Sequence, residues 1–367
     1  MERKSGVRAS VDHLLEHSML REIREQPKAI ADTLAESFRT AERIAHELHP
    51  QKTGMIYFTG SGTSYHACLA ANYALSTLTG ISATSLPASE FPSWVSRTTR
   101  AENVLIAISQ SGESADVMAA VNSATASGMQ VVAVTNSPGS TLIRATNLSM
   151  VAKAGEEEAV TATKSFTATL AATYALVIEL ARDAGAMPQD PETLTTALRN
   201  TSSQVKETLA LCSDTSRALA LKFKDKEFFF MLGSGPNYST ALEGALKLKE
   251  SCNLYSEGFA TREFLHGPMQ LADSGTPVFI LQGQGETEQV HDLGGSFLRF
   301  GAPTTVIRRK GEGALEDNLP AIEVASDVAE VFSPLIYVVP LQLCAYYSSV
   351  IRGLNPDRPE KLTKVVK

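Results

Sequence analysis

The chain has 367 residues, of which 43% are hydrophobic and 20% are charged. This length and composition are typical of a soluble globular protein with two domains, each with its own core. The formal net charge of −7 argues against nucleic acid or an anionic membrane as a partner, while a small anionic substrate stays compatible because the local potential of a site decides its binding.

The first half of the sequence predicts helices followed by an alternation of strands and helices. Residues 1–50 have a helical pattern, in which we expect Pro27 to open a second helix that runs to about His49. Apolar strands are predicted at 55–58, 104–108 and 131–134, with helices at 67–78 and from about 114. Strands that are apolar throughout and alternate with helices indicate a parallel sheet covered on both faces.

The second half repeats this alternation after a linker. Gly and Pro residues mark the linker at 184–191, and a long helix is predicted over 192–222. Strands are predicted at 228–232, 278–281 and 305–307, and an apolar helix at 338–351. We therefore divide the chain into a helical segment (1–50), a first α/β domain (51–185), a linker with a long helix (186–224), a second α/β domain (225–345) and a tail (346–367) that closes the active site.

Cysteine usage and the apolar stretches bear on the compartment. The N-terminus lacks the apolar core of a signal peptide, and the apolar stretch 166–180 falls short of the ~20 residues that span a bilayer, so it predicts a buried helix. Three of the cysteines lie in apolar, helical surroundings, which predicts buried free thiols and a cytoplasmic protein. The four cysteines form no CxxC pair and have no zinc-ligand spacing, which predicts no metal. They are Cys68, Cys212, Cys252 and Cys344.

One motif occurs twice at a fixed spacing. Residues 60–65 (GSGTSY) recur as 233–238 (GSGPNY), an offset of 173. The same offset carries the Glu-Phe pair at 90–91 onto 263–264, and the triplet at 112–114 onto 285–287. Three matches at one offset indicate two tandem copies of one domain.

The first copy contains loops suited to a phosphate group. In open parallel sheets, ligands bind where strands end and helices begin, and residues 109–114 (SQSGES) lie at such a junction. Gly112 permits a tight turn, and the helix that follows presents backbone N–H groups and the positive end of its dipole. Hydroxyl donors complete a neutral cradle: Thr63, Ser64, Ser109, Ser111 and Ser114.

The second copy distinguishes this interpretation from simple helix capping, which Ser and Thr also provide. Most of the hydroxyls are replaced there, by Pro236, Asn237, Gln282 and Gln284, although the backbone pattern is kept. Capping alone would not require that contrast, whereas divergence without function could produce it. A dinucleotide site is excluded, because a tyrosine stands in both copies where a third glycine is needed.

Three ionisable residues of the second copy have no counterpart in the first. Glu250, His266 and Lys247 match Thr77, Ser93 and Ala74 at the offset of 173. Lys247 and Glu250 share one helix face with Glu243, which indicates either a solvated charged stripe or a functional group. His266 lies in a turn bounded by Gly and Pro. A carboxylate and an imidazole suit proton transfer and ring opening on a sugar.

These residues resemble the double SIS (sugar isomerase) family, and within it the isomerase half of glucosamine-6-phosphate synthases. The resemblance implies two tandem SIS domains, each an αβα sandwich with a mostly parallel sheet. It implies a proton-transferring base at Glu250 with Lys247 as its helper, and a ring-opening residue at His266 that the partner subunit of a homodimer supplies. Lys364 matches the tail lysine that engages the open-chain sugar. The phosphate-binding positions are Thr63, Ser64, Ser109, Gln110, Ser111 and Ser114, and Gly62, Val160 and Thr161 line the sugar pocket.

The synthases carry an N-terminal glutaminase domain that begins with a cysteine, whereas only about fifty residues precede the first copy here. The resemblance is then closest to the stand-alone deaminases of the family. We expect release of ammonia from glucosamine 6-phosphate without a metal or organic cofactor. The alternatives are a deglycase for a phosphorylated sugar–amino-acid adduct, a phosphosugar aldose–ketose isomerase, and a phosphosugar-sensing module without catalysis.

Overall fold

A computed structural model of the protein describes residues 17–95, 100–185, 187, 189–312 and 319–365. The first copy begins with a long helix and continues with strands and helices in alternation. Its elements are α1 (Ser18–Leu48), β1 (Ile56–Gly60), α2 (Thr63–Thr79), β2 (Ala83–Pro87), α3 (Phe91–Trp94), β3 (Val104–Ile108), α4 (Ala115–Ala126), β4 (Gln130–Thr135), α5 (Thr141–Arg144), β5 (Leu148–Val151) and α6 (Lys164–Ala184).

The second copy has the same order of strands and long helices. They are α7 (Pro191–Lys222), β6 (Phe228–Gly233), α8 (Pro236–Cys252), β7 (Tyr255–Ala260), β8 (Val278–Leu281), α9 (Thr287–Arg299), β9 (Thr304–Arg309), β10 (Ala321–Val324) and α10 (Pro334–Ile351). Short 3-10 turns lie at Pro50–Lys52, Glu263–His266, Pro268–Leu271 and Glu330–Phe332.

Each copy forms one five-stranded sheet in which every pairing is parallel. The strand orders are β2-β1-β3-β4-β5 and β10-β9-β8-β6-β7. Alternate residues of the first sheet point to opposite faces, so that Phe58 and Ile106 enter a core shared by both copies while Tyr57 and Leu105 pack toward α3 and α4. The predicted α/β sandwich with parallel sheets is therefore confirmed.

The offset of 173 holds for whole elements. Helix α2 (63–79) maps onto α8 (236–252), and strand β5 (148–151) maps onto β10 (321–324), residue for residue. The long helices obey it too, because α1 begins at residue 18 and α7 at residue 191. The repeat therefore includes the helix that precedes each sheet.

The prediction that Pro27 opens a second helix is wrong, because α1 runs through it without a break. A proline has no N–H group, so the carbonyl of Ile23, four residues earlier, loses its usual helical donor. The side-chain amide of Gln26 donates to that carbonyl at 2.9 Å. This local replacement, together with burial of Ile23 and Ile30 on either side, explains why the helix continues.

Two apolar helices lie in the shared core. Every residue of α6 from Lys164 to Ala181 is buried, as expected for the stretch 166–180. One segment, Glu330–Ile351, is long and apolar enough to cross a bilayer, but 83% of its most apolar part is buried inside the protein. That burial is typical of a core helix. All four cysteines are buried free thiols, whereas the sequence predicted burial for three of them.

Candidate active site

A cavity of about 300 Å³ lies where β1 and β3 of the first sheet end. Three distant parts of the chain form its walls: loops and helices of the first copy, helix α8 of the second copy and the C-terminal tail. Its lining includes Gly62, Thr63, Ser64, Ser109, Gln110, Ser111, Ser114, Asp116, Val160, Thr169, Glu250 and Lys364.

The loop from Ser109 to Ser114 is a compact turn that orients two hydroxyl groups. Gly112 has φ +64°, and a Cβ there would lie 2.2 Å from Oγ of Ser140, so only glycine fits. Oγ of Ser109 accepts a hydrogen bond from the N–H of Gly112 at 3.0 Å, and Oγ of Ser111 accepts from the N–H of Glu113 at 3.2 Å. Within the described part of the chain, no protein group takes the hydroxyl proton of either serine, so both can donate to an anion.

The equivalent loop of the second copy is filled by the protein itself. Glu330 accepts hydrogen bonds from the side-chain amide of Asn237 and the backbone N–H of Gln284, both at 3.2 Å. Its counterpart at the offset of 173 is Glu157, which is turned away and bound by Ser165. Only the loop of the first copy is therefore open to a ligand anion.

Helices α2 and α8 meet behind the cavity in a buried polar network. The ammonium group of Lys247 lies 2.7 Å from Oε2 of Glu250 and 3.0 Å from Oε1 of Glu243. It also donates to Oγ1 of Thr63 at 3.0 Å, and Thr63 in turn donates to Oε1 of Glu243 at 3.0 Å. Nδ1 of His66 lies 2.7 Å from Oε2 of Glu243. On the charged face of α8, Glu243 and Lys247 are thus fully buried and Glu250 lines the cavity, which excludes a solvated stripe.

Electrostatics keep the central pair of this network ionised. Burial alone would raise the pKa of the Glu243 carboxyl, but Lys247 and His66 outweigh it and lower that pKa to about 2. Burial alone would lower the pKa of the Lys247 ammonium group, but Glu243 and Glu250 raise it above its ordinary value. Lys247 is therefore a fixed cation at neutral pH, beside a carboxylate at the cavity wall.

The C-terminal tail is held against the cavity by an ion pair. Nζ of Lys364 lies 2.7 Å from Oε2 of the fully buried Glu157 and also donates to the carbonyl of Ala159. Burial raises the pKa of the Glu157 carboxyl, but Lys364 and Ser165 outweigh it, so that the pKa is lowered. The tail lysine thus forms one wall of the cavity while its charge is balanced.

A model of the SIS domain family matches residues 47–179 and 222–352. The chain belongs to the SIS domain family. The two matches fall on the two copies of the repeat, and each includes a whole parallel sheet of this SIS protein.

Relatives of this SIS protein include sugar-phosphate enzymes. The isomerizing glutamine–fructose-6-phosphate aminotransferase of Pyrococcus horikoshii is 35% identical over 367 residues, which cover 96% of this chain and 58% of that protein. The Escherichia coli K12 enzyme of the same name is 34% identical, covering 95% and 58%. The chain therefore spans little more than half the length of these relatives.

Solved structures agree with the fold. The C-terminal domain of the glucosamine-fructose-6-phosphate aminotransferase of Francisella tularensis has a TM-score of 0.86 at 29% identity, with coverage of 94% of this chain and 98% of that one. The glucosamine-6-phosphate deaminase of Thermotoga maritima has a TM-score of 0.73 at 24% identity, with coverage of 95% and 99%. At that identity, the second likeness shows the fold alone.

Most of the residues predicted from the sequence come together in the cavity of the SIS protein. All six predicted phosphate-binding residues line it, as do Gly62, Val160, Glu250 and Lys364. Lys247 lies directly behind Glu250. Two predicted residues are not among the lining residues: Thr161 is fully buried, and His266 is exposed at the end of a 3-10 turn.

Three residues that contact this site were not singled out by the sequence: His66, Glu157 and Asp357. Glu243 was noted only for sharing a helix face with Lys247 and Glu250, and its contacts with the site were not predicted. His66 directly follows the first glycine motif and Glu243 lies one helical turn before Lys247, so both positions carried a local signal. Glu157 and Asp357 act through contacts more than 130 residues away in sequence. No local pattern could have predicted those contacts.

Proposed function

We propose that this SIS protein is an amino-sugar-phosphate deaminase that converts glucosamine 6-phosphate and water into fructose 6-phosphate and ammonia. One observation carries the proposal: the hydroxyl-rich loop of the first copy and Glu250 of the second copy line the same cavity. An anion site and a carboxylate in one cavity suit a substrate with a phosphate at one end and an exchangeable C–H proton at the other.

The phosphate would bind in the cradle. The hydroxyl protons of Ser109 and Ser111 are available for donation, and Ser64 and Ser114 contribute further hydroxyls to the wall. Helix α4 begins at Ala115, so its free N–H groups and dipole favour negative charge there. Binding energy from this remote group would hold the sugar carbons near Glu250.

Glu250 would act as the base. Once the sugar ring is open, its carboxylate removes the proton at C2 and returns it at C1, which leaves an imine at C2. Water adds to the imine and ammonia leaves, which gives the ketose. The fixed positive charge of Lys247, 2.7 Å away, keeps the carboxylate next to a counter-charge while the proton is in transit.

Ring opening would be the task of His266. That side chain is exposed on its own chain and does not line the cavity. We therefore propose a homodimer in which His266 of the partner subunit completes the site. Lys364 would engage the open-chain sugar after exchanging its contact with Glu157.

The thiols of the chain bear on the source of ammonia. Hydrolysis of glutamine by cysteine requires a thiolate. Burial raises the pKa of Cys68 well above its ordinary value, and raises the pKa of Cys212, Cys252 and Cys344 to about 12. These four thiols are therefore protonated at neutral pH. None of these four thiols is therefore suited to attack glutamine.

A second candidate is isomerisation of a phosphosugar without release of ammonia. It is favoured by the names of the relatives, which are isomerizing aminotransferases. The early steps at the cradle and Glu250 would be the same. The two activities differ in the amine group of the substrate and in its release.

The test is a coupled assay of ammonia release from glucosamine 6-phosphate. The same protein is assayed in parallel for isomerisation of glucose 6-phosphate and for release of amino acids from fructosamine 6-phosphate adducts. Ammonia and fructose 6-phosphate in equal amounts support deamination. Isomerisation without ammonia supports the second candidate. Tight phosphosugar binding without any turnover indicates a sensing protein and contradicts both.

A further inference from the structure

The network between α2 and α8 links the two copies through four side chains. Thr63 and His66 lie about one turn apart on α2, and Glu243 and Lys247 lie one turn apart on α8. Oε1 of Glu243 receives the hydroxyl proton of Thr63 and contacts Lys247, while Oε2 of Glu243 faces His66. A carboxylate accepts only, so Nδ1 of His66 is the donor in this contact. Glu243 is thereby fixed from both sides.

The hydroxyl group of Thr63 is committed to this network. Its proton goes to Glu243, and one lone pair accepts from Lys247. A phosphate group accepts hydrogen bonds and donates none at its dianionic oxygens, so Thr63 could serve it only by releasing Glu243. Ser109 and Ser111 differ, because each accepts a backbone N–H while no group among the described residues takes its hydroxyl proton.

The internal symmetry supplies an independent comparison. At the offset of 173, the counterparts of Thr63 and His66 are Pro236 and Ser239 of α8, and those of Glu243 and Lys247 are Ala70 and Ala74 of α2. None of these four counterparts is charged, and both alanines are fully buried. The repeat therefore keeps the two helices while the charged residues occur on one side alone, which favours a role of the network in the site.

We propose that Thr63 and His66 are positioning residues of the reaction, which act through Glu243 to hold the ammonium group of Lys247 against Glu250. This inference rests on the proposed function of Glu250 as a base. It assigns Thr63 to the proton-transfer half of the site and leaves anion binding to the serine loop. A displaced Lys247 would misalign Glu250, and a misplacement of about 1 Å can cost ~10²-fold in rate.

The test compares Thr63→Val, His66→Ala and His66→Asn with Ser111→Ala. Thr77→Val serves as a matched control, because Thr77 is an exposed threonine on the same helix. We expect Thr63→Val and His66→Ala to lower kcat by roughly 10- to 100-fold, with KM and the inhibition constant for inorganic phosphate unchanged. The amide nitrogen of asparagine can replace Nδ1 as a donor, so His66→Asn should restore most of kcat.

The opposite pattern overturns the proposal. If Thr63→Val raises KM and weakens phosphate inhibition as Ser111→Ala does, Thr63 binds the phosphate. If His66→Ala and His66→Asn lose activity equally, His66 does not act as a donor to Glu243.

Failure of the proposed function is distinguishable, because it appears as a wild-type protein without turnover. Crystal structures of the His66 variants then decide the inference. The distance from Nζ of Lys247 to Glu250, 2.7 Å in the native chain, should lengthen in His66→Ala and be kept in His66→Asn. An unchanged distance in His66→Ala overturns the inference.

Discussion

The carboxylate of Asp357 accepts a hydrogen bond from the backbone N–H of Met19 at 2.8 Å. Its other oxygen accepts from the N–H of Ser18 at 2.9 Å, so a residue of the tail caps the first helix. The backbone carbonyl of the same residue accepts from Val160, which lines the cavity. One residue therefore joins the start of the fold, the cavity wall and the tail.

Replacing this cap should destabilise the protein. Asp357→Asn replaces one carboxylate oxygen with an NH2 group, which cannot accept a hydrogen bond. We therefore expect a loss of about 0.5–2 kcal/mol in the free energy of unfolding. Chemical denaturation measures it. Asp225→Asn, at an exposed position, is the control and should have little effect. Equal stability of the two variants would contradict the capping role.

Removing the proposed base should abolish turnover and spare binding. Glu250→Gln keeps the shape of the side chain but cannot take a proton, so kcat should fall by at least about 10²-fold. The affinity for the phosphosugar, measured by calorimetry, should change little. Glu323→Gln, on an exposed strand position, should behave as wild type. Turnover retained in Glu250→Gln would assign proton transfer to another group.

Removing a hydroxyl of the cradle should weaken phosphate binding. A hydrogen bond to a charged group contributes about 1.5–3 kcal/mol, so Ser111→Ala should raise the dissociation constant of the phosphosugar on the order of 10- to 100-fold. The effect should vanish for the same sugar without its phosphate. Ser203→Ala, on the exposed face of α7, is the control. A uniform loss for both sugars would indicate misfolding of the loop.

Sharing of the site between subunits is tested by complementation. Glu250→Gln and His266→Ala should each be inactive alone. After subunit exchange, half of the dimers are mixed, and each has one site with both native residues, so about a quarter of the wild-type activity should return. No recovery, with exchange confirmed by native mass spectrometry, would show that His266 acts within its own chain or not at all.

The raised pKa of the buried Glu22 carboxyl predicts a specific pH dependence of stability. Burial raises the pKa of this carboxyl from 4.5 to about 7, against two backbone donors, and the charge of Glu157 adds to the rise. A carboxyl group whose pKa is raised by folding contributes to stability at pH values below its pKa in the unfolded chain. That contribution is lost as the pH rises through its pKa in the folded protein. Between about pH 4.5 and about pH 7, the free energy of unfolding should therefore fall by on the order of 3 kcal/mol because of this group.

Urea unfolding at about pH 5 and about pH 8 measures this effect. Glu22→Gln should flatten the difference between the two values, whatever its absolute stability. Glu36→Gln, in the exposed part of the same helix, should keep it. The same slope in wild type and Glu22→Gln would assign the pH dependence to other groups.

Local pattern was sufficient for the repeat, for the six inner strands of the two sheets and for the cavity loops. The four edge strands, β2, β5, β7 and β10, were not predicted. The strand predicted at 104–108 is β3 with the same bounds, because an uninterrupted apolar run bounded by polar residues has few other solutions. Helix α1 was not predicted as one element, because the donor that replaces the missing N–H of Pro27 is a side chain. Rules based on residue propensity take proline as the end or the start of a helix, and they take no account of a side-chain donor of this kind.

The chemistry was predicted less completely than the fold. The spacing of Glu243, Lys247 and Glu250 gave a shared face but not its burial, which depends on the packing of α2 against α8. The sequence also did not reveal that Glu157 and Glu330 have different roles, because both are glutamates at equivalent positions of the repeat. Their partners decide their roles, and those partners come from other parts of the chain.

Because the two copies have equal spacing, each copy can serve as a reference for the other. Each position of the cradle has a homologous position in the same molecule, at the same distance along the backbone and in the same secondary structure. Residues of one copy can therefore be replaced by their equivalents from the other without insertions, and the copy that supplies the residues serves as the control. Placing serines at 282 and 284 and removing the carboxylate at 330 would retrace the divergence of the halves in the laboratory.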